Sequence, residues 1–532
     1  MTKERLTLFD TTLRDGAQTQ GVDFSVEDKR TIALALDGLG LDYVEGGWPG
    51  ANPTDTEIFR APPELKHARF TAFGMTKRSG RSAGNDPGLA ALLDAKAPAL
   101  CLVGKTWDYQ VDVALEIPRP ENIENIAESI AAVVARKREA LFDAEHFFDG
   151  YKANPDYALS CLKAAHESGA SWLVLCDTNG GSMPDDVYRI ASEVKSRLPD
   201  AKLGIHAHND TEQAVAVSLA AVKAGVRQVQ GTLNGLGERC GNANLCSLIA
   251  TLALKEPYAS RFETGVTREG LTKLTSVSRL LDEILNRAPA RHAAYVGPSA
   301  FAHKGGLHVS AVQKDPRTYE HVPPESVGNR RHVLVSDQAG RSNILARLAE
   351  LGIDVDAKDK RISRLLDDVK QREFLGYAYD GAEASFELLA RRALGQVPGY
   401  FEVESFRVMV ERRHNAAGDL VTVSEAVVKL KVGGEAVHNV GSGNGPVNAL
   451  DQALRKDLGH YSRYLQDLRL VDYKVRILTG GTEAVTRVMI ESADGEGNRW
   501  STVGVSENIV DASFEALSDS ICYKLYRDGA PA

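Results

Sequence analysis

The sequence predicts an α/β protein with three parts: a closed (β/α)8 barrel, a mostly helical connecting region, and a C-terminal α/β domain with an internal pseudo-repeat. Three observations predict it. From residue 5 to about 250, eight short apolar runs each end in polar or glycine-rich residues and lead into a stretch with apolar residues at helical spacing. Strict alternation of strand and helix implies parallel strands joined by helical crossovers. Eight such units in this length match a closed barrel, with a doubly wound open sheet as the competing arrangement.

In chain order the runs are "RLTLFDTTLRDG", "LDYVEGGWPG", "RFTAFGMT", "ALCLVGKT", "EALFDAEHFFDG", "WLVLCDTNGG", "KLGIHAHND" and "QVQGTLNGLGER". Segments such as "VEDKRTIALALDGLG" and "PDDVYRIASEVKSRL" follow them as amphipathic helices. Beyond the barrel, "EGLTKLTSVSRLLDEILN" and "KDKRISRLLDDVKQREFLGY" read as helices separated by turns. From about residue 398, "EAVVKLKVGGEAVHNVGSGNGPVNALDQALRKDL" and "AVTRVMIESADGEGNRWSTVGVSENIVDASFEALSDSI" share one order: strand, turn, strand, small-residue loop, helix. The expected domains are therefore 1–265, 266–397 and 398–532.

At 532 residues the chain is too long for one ordinary core. Its 63 Lys and Arg against 72 Asp and Glu give a net charge of −9, which argues against a general nucleic-acid surface but leaves anionic small substrates open. No signal-like or membrane-spanning apolar segment is read, so no membrane partner and a cytoplasmic location are expected. Cys101, Cys161, Cys176, Cys240, Cys246 and Cys522 are scattered without a CxxC pair, as suits reduced thiols, and no catalytic role is assigned to them.

In a parallel barrel, catalytic residues gather at the C-terminal strand ends. The first strand delivers Arg14 and Asp15, the second Glu45, and the fifth Glu145 and His146. The sixth delivers Asp177 and Thr178, and the seventh His206, His208 and Asp210. Residues i and i+2 of a strand face the same way, about 7 Å apart along the chain, so both imidazoles can converge on one point. The bland alternative is a solvated pair in a strand-to-helix loop. With Asp15, the histidines form a two-nitrogen, one-carboxylate set suited to a divalent cation such as Mn²⁺, Zn²⁺, Co²⁺ or Mg²⁺. Arg14 offers a permanent cation for an oxyanion or a carboxylate, or a rim ion pair with Glu45 or Glu145. Asp210 is read as the cap of a helix beginning near Thr211 rather than as an orienter of an imidazole. The "VGSGNGPVNAL" loop lacks a Walker lysine and a GxGxxG, and reads as a turn and helix opening.

Together, "FDTTLRDGAQTQG", "LGIHAHND" and "TLNGLGERCGNANL" resemble the acyl-CoA-dependent aldol/Claisen barrels, which include the isopropylmalate, homocitrate and citramalate synthases and hydroxymethylglutaryl-CoA lyase. The resemblance spans residues 5–250. "FAHKGGLHVSAVQKDPRTYEHVPPESVG" is similar to the helical subdomain of the synthases, and 400–532 resembles their regulatory domain, which the lyases lack. "VEGGWPGANPTD" and "AGRSN" are most similar to the long citramalate synthases. Ala17 stands where isopropylmalate synthases usually carry the glutamate of "DGEQ".

The resemblance implies a metal held by Asp15, His206 and His208, with Asn242 as a further or water-linked ligand. It places Arg14 at the carbonyl oxygen of a 2-keto acid, Thr178 at its carboxylate and Glu145 beside the reacting groups. His308, in preference to His303, and Tyr319 are implied in activating the acetyl group. The implied substrates are acetyl-CoA and pyruvate, with 2-ketoisovalerate as the rival keto acid and a lyase reaction as the more distant one. Keto-acid selectivity is expected near "GGWPG" and "AFGMT". A homodimer and an isoleucine effector at the C-terminal domain are also implied.

Overall fold

The computed structural model describes residues 3–287, 289–333, 341–356, 358–414, 416–479 and 484–531. Ala339 and Gly340 of the "AGRSN" motif lie outside them. The chain divides into two compact units: one runs to Phe301 and takes in Val322–Arg331, and the other holds Ala302–His321 and everything from His332 onward.

The first unit contains a closed eight-stranded parallel barrel. Its strands are β1 (Thr7–Asp10), β2 (Tyr43–Gly47), β3 (Arg69–Met75), β4 (Ala99–Lys105), β5 (Glu139–Glu145), β6 (Trp172–Asp177), β7 (Leu203–Ala207) and β8 (Gln228–Gly231). These are the eight apolar runs of the sequence. Several, such as β1, β2, β6, β7 and β8, are buried along their whole length, as strands covered on both faces must be. Closure comes from β1 pairing with β8, with Thr7 opposite Gln228 and Asp10 opposite Gly231.

Local chemistry starts the helices where the strands stop. Ser25 and Asp28 form a reciprocal capping box for the helix Val26–Leu39, which ends at Gly40 with φ +96°. Asn52, Asp86 and Asn154 each cap a helix that opens on proline. The inside of the barrel holds Phe9, Tyr43, Phe73, Leu141, Trp172 and Val174, and the outer core packs helices against the other strand faces.

The connecting region is helical as expected. Leu274–Ile284 belongs to the first unit, while Gly306–Lys314, Arg341–Glu350, Lys360–Phe374 and Glu383–Ala393 belong to the second. A short parallel pair, Ala302–His303 with His332–Val333, interrupts them.

The C-terminal repeat is visible as two similar modules. Strands β9 (Glu402–His414), β10 (Leu420–Val432) and β11 (Glu435–Gly443) lead into the helix Pro446–Lys456. Strands β12 (Arg469–Ile477), β13 (Thr486–Ala493) and β14 (Arg499–Ser506) lead into the helix Ile509–Arg527. One apolar core joins both, with Val428, Leu430 and Leu454 from one copy and Ile490, Trp500 and Ile521 from the other. The shared Val-Gly step has a packing cause. A Cβ on Gly441 would lie 2.4 Å from the backbone nitrogen of Ala453, and one on Gly504 would lie 2.0 Å from the carbonyl oxygen of Ala512. Each glycine lets its helix rest on its strand, which accounts for the loop without a nucleotide.

Four cysteines are buried, Cys240 is exposed, Cys522 is intermediate and all six are free thiols. Among the described residues, no helix is long and apolar enough to cross a membrane.

Phe142 on β5 is fully buried and occupies the space over Gly104, where a Cβ would lie 2.9 Å from its ring. Phe142→Ala is expected to cost about 3–5 kcal/mol of unfolding free energy, measured from the urea midpoint of the full chain.

Candidate active site

Asp15 follows β1 directly in a short turn, and its carboxylate is buried at 1% exposure. His206 lies on β7 and His208 just past it, and both are buried. The period of the strand does what the sequence implies, and the imidazoles share one side. His206 Nε2 is 3.1 Å and His208 Nε2 3.8 Å from Asp15 Oδ2, and the two nitrogens are 3.3 Å apart. Of the His/Cys/Asp/Glu side chains described, these three form the cluster with metal-holding geometry.

Two further features suit a cation here. Asp15 Oδ1 and Asn242 Oδ1 are buried and have no hydrogen-bond partner. The Asn242 amide is fixed by its Nδ2, which donates to Asp15 Oδ2 at 2.9 Å and lies 3.1 Å from His206 Nε2. A Cβ on Gly237 would lie 1.8 Å from Asn242 Oδ1, so that glycine leaves the room the carboxamide occupies. Unpaired buried oxygens beside two imidazole nitrogens fit a divalent ion of borderline hardness.

Electrostatics point the same way. Burial alone would raise the pKa of Asp15, but Arg14 and then His206 outweigh it and hold the carboxyl well below the usual range. Burial followed by repulsion from His206 pushes His208 down to about 4, so it is a neutral ligand-ready imidazole at neutral pH. His206 is opposed by burial and raised by Asp15. A proton on His206 and a bound cation are thus alternative partners for one carboxylate.

Arg14 takes Glu45 as its rim partner, not Glu145. Its Nε donates to Glu45 Oε2 at 2.7 Å, its Nη1 is 3.3 Å from Asp15 Oδ2, and its guanidinium lies 4.0 Å over the Phe73 ring. Trp48 packs edge-on against Phe73 at 5.7 Å. Burial pushes Glu45 up to about 7, against the pull of Arg14. Glu145 instead pairs with Lys105 at 2.6 Å. Thr178 Oγ1 accepts the backbone N–H of His146 at 2.8 Å, and His146 sits at φ +54° with Nδ1 3.1 Å from Asp149.

Asp210 corrects the sequence expectation. The helix begins at Ala214, and Asn209 Oδ1 accepts the Ala214 N–H at 3.2 Å. Asp210 is drawn away by Arg239, whose Nε and Nη2 bond its two oxygens at 2.7 and 2.9 Å. Arg239 also donates to the Thr178 carbonyl at 2.8 Å, joining the loops after β6 and β7.

His308 and Tyr319 lie in the second unit. Their rings stack with centroids 4.2 Å apart. His303, set aside in the sequence reading, pairs with Glu320 at 3.2 Å.

Sequence reasoning missed Gln230. It lies on β8, fully buried, and its Oε1 is 2.8 Å from His206 Nδ1. An amide oxygen only accepts, so Nδ1 carries a proton, which leaves Nε2 as the nitrogen that faces Asp15 through a second proton or through a cation bound between them. Gln230 Nε2 in turn donates to Asp143 Oδ1 at 3.2 Å, which sets the amide's orientation. The signal was a glutamine pair at period two, "QVQG", in a strand that should be apolar. Gln230→Leu is expected to weaken Mn²⁺ binding about 10–100-fold by calorimetry.

Comparison with known proteins gives the family. The HMGL-like family model matches residues 5–280, the homocitrate synthase post-HMGL domain-like model 295–373, and the LeuA allosteric (dimerisation) domain model 380–525. The chain is 50% identical to the (R)-citramalate synthase of Aquifex aeolicus over 99% of this chain and 98% of that one. It is 52% identical to the (R)-citramalate synthase of Geobacter sulfurreducens, covering 98% and 97%. Identity to a 2-isopropylmalate synthase of Methanocaldococcus jannaschii is 31%, over 97% and 94%. An HMGL-like barrel with a buried Asp15–His206–His208 cluster at its rim, followed by a LeuA-type domain and matched from end to end at this level, places the chain in the (R)-citramalate synthase family.

Proposed function

We propose that this chain condenses acetyl-CoA with pyruvate and hydrolyses the thioester, giving (R)-citramalate and CoA on the route to isoleucine. The observation that carries the proposal is the buried Asp15–His206–His208 cluster beside Arg14, in a chain whose relatives over nearly full length bear the citramalate synthase name.

A divalent cation held by Asp15, His206 and His208, with Asn242 beside them, would polarise the keto group of pyruvate. The Arg14 guanidinium, kept flat on Phe73 and pinned by Glu45, faces the oxygen that becomes an alkoxide when the new C–C bond forms. The Thr178 hydroxyl, whose oxygen already accepts from His146, retains its proton to donate to the pyruvate carboxylate. His308, stacked on Tyr319, takes the methyl proton of the acetyl group, and Glu145, neutralised by Lys105, positions the reacting groups. Water then adds to the thioester carbonyl, the C–S bond breaks and the thiol leaves with a proton. Phe73 and Trp48 supply bulk where a branched keto acid would extend. A cavity of about 410 Å³ beside this rim is lined by Lys77, Arg78 and Lys105 and suits the anionic end of acetyl-CoA.

The domain division 1–265, 266–397 and 398–532 stands as part of this proposal. So do a cytoplasmic location and isoleucine as the effector, together with a homodimer and an effector site at the C-terminal domain, the last two supported by the LeuA-type match at 380–525.

The test is CoA-thiol release from acetyl-CoA with a panel of 2-keto acids, with Mn²⁺ and after chelation. Metal-dependent release fastest with pyruvate is expected. Release fastest with 2-ketoisovalerate would move the chain to isopropylmalate synthesis, and release with no keto acid would sink the synthase proposal. Arg14→Met should lower kcat about 10²–10³-fold with Mn²⁺ still bound, because it removes one preorganised charge from the alkoxide.

A further inference from the structure

Lys29 lies on the inner side of the helix Val26–Leu39, at 3% exposure, and the reaction has no evident use for it. Its ammonium donates to the Leu13 carbonyl at 2.8 Å, to the Gly46 carbonyl at 2.9 Å and to Asp55 Oδ1. A lysine ammonium has three protons, and here each has its own acceptor. The two carbonyls are telling. Leu13 is the residue before Arg14, and Gly46 is the residue after Glu45.

Glu45 is held in the sheet opposite Thr71 of β3, but no ladder joins it to the backbone of Arg14. Strands β1 and β2 pair at Phe9–Tyr43 and Asp10–Val44, and that register ends before either member of the ion pair. Asp55 extends the arrangement, since its Oδ2 accepts the Trp48 N–H at 2.8 Å. Gly47, at φ +145°, passes so close that a Cβ there would lie 2.5 Å from Asp55 Cγ. The ammonium and its carboxylate therefore touch the backbone at Gly46 and Trp48, just beyond Glu45 at the end of β2, and the peptide that precedes Arg14.

We propose that Lys29, paired with Asp55, is a positioning residue: through the Leu13 and Gly46 carbonyls it sets the backbone from which Arg14 and Glu45 meet. Replacing a buried ion pair by neutral groups is often harmless to stability, so stability alone gives little reason for this one. The effect on turnover rests on the citramalate synthase proposal, whereas the effect on Arg14 geometry does not.

The test separates the two. Lys29→Met alone strands a buried carboxylate, so the informative variant is K29M/D55N, which removes both charges and leaves an acceptor for Trp48. Its Tm is expected to match wild type, while kcat falls about tenfold or more with KM for acetyl-CoA unchanged, as small misplacements near a reacting centre do. Hydrogen exchange of the Arg14 Nε–H, read by NMR on ¹⁵N-arginine-labelled protein, should quicken in the same variant. Asp55→Asn alone leaves both carbonyls tethered and should keep slow exchange and near-wild-type kcat. A folded double variant with wild-type kcat and slow exchange would overturn the proposal. So would D55N losing tenfold or more in kcat or showing fast Arg14 exchange, an outcome that is read whether or not the double variant folds. If wild-type protein forms no citramalate, the synthase proposal fails and the exchange comparison still decides the role of Lys29.

Discussion

The Asp15 carboxylate is the charge around which the barrel rim is arranged. It is almost wholly buried, and burying an ionised group is costly unless other groups compensate it. Arg14, His206 and Asn242 all reach the same oxygen, Oδ2, at 3.3, 3.1 and 2.9 Å. That leaves Oδ1 without a partner. Glu45 and Asp143 bring two more buried carboxyls, and burial shifts both upward. One arginine cannot neutralise three carboxylates in a space this dry. The imbalance suits a site that takes a small cation and a substrate anion in turn, and perturbed acids gathered in a cleft are what such chemistry requires.

Much of this was legible in the sequence, and particular residues show why. Period-two spacing put His206 and His208 on one side of a strand, and the (β/α)8 pattern put Asp15 at the same end, so three separated residues could be grouped without coordinates. The Val-Gly steps of the C-terminal repeat were visible as a pattern, although their cause, a helix backbone within contact of the missing Cβ, was not. Pairing between loops was out of reach. Asp210 looked like a helix cap because caps are a local matter, yet Arg239 bonds both its oxygens from 29 residues away. Gln230 was passed over because a strand glutamine has no meaning until one knows which residue of the neighbouring strand stands beside it, here His206.

Backbone strain is also present at the same rim. His146, Glu212, Asn234 and Arg239 all adopt positive φ without being glycine, and each lies in a loop that follows a barrel strand. Such conformations persist only where the surroundings fix them. Here side-chain bonds do so: Asp149 and Thr178 hold His146, and Asp210 holds Arg239. At His146 and Arg239, side-chain bonds thus do the holding that a regular hydrogen-bond ladder does elsewhere, which suits residues that must present charges at fixed angles.

Closure of the barrel has a consequence for how the protein comes into being. Asp15 and Asn242 stand 227 positions apart, and the seam between β1 and β8 joins the first strand of the barrel to the last. A ribosome must deliver every strand before that seam can form, and pairings this distant in sequence are slow to find. The nascent chain thus carries an aspartate with no histidines to share until the final turn of the barrel docks. Acquisition of an ion at this place would then mark a finished molecule, so that maturation and folding end in a single event.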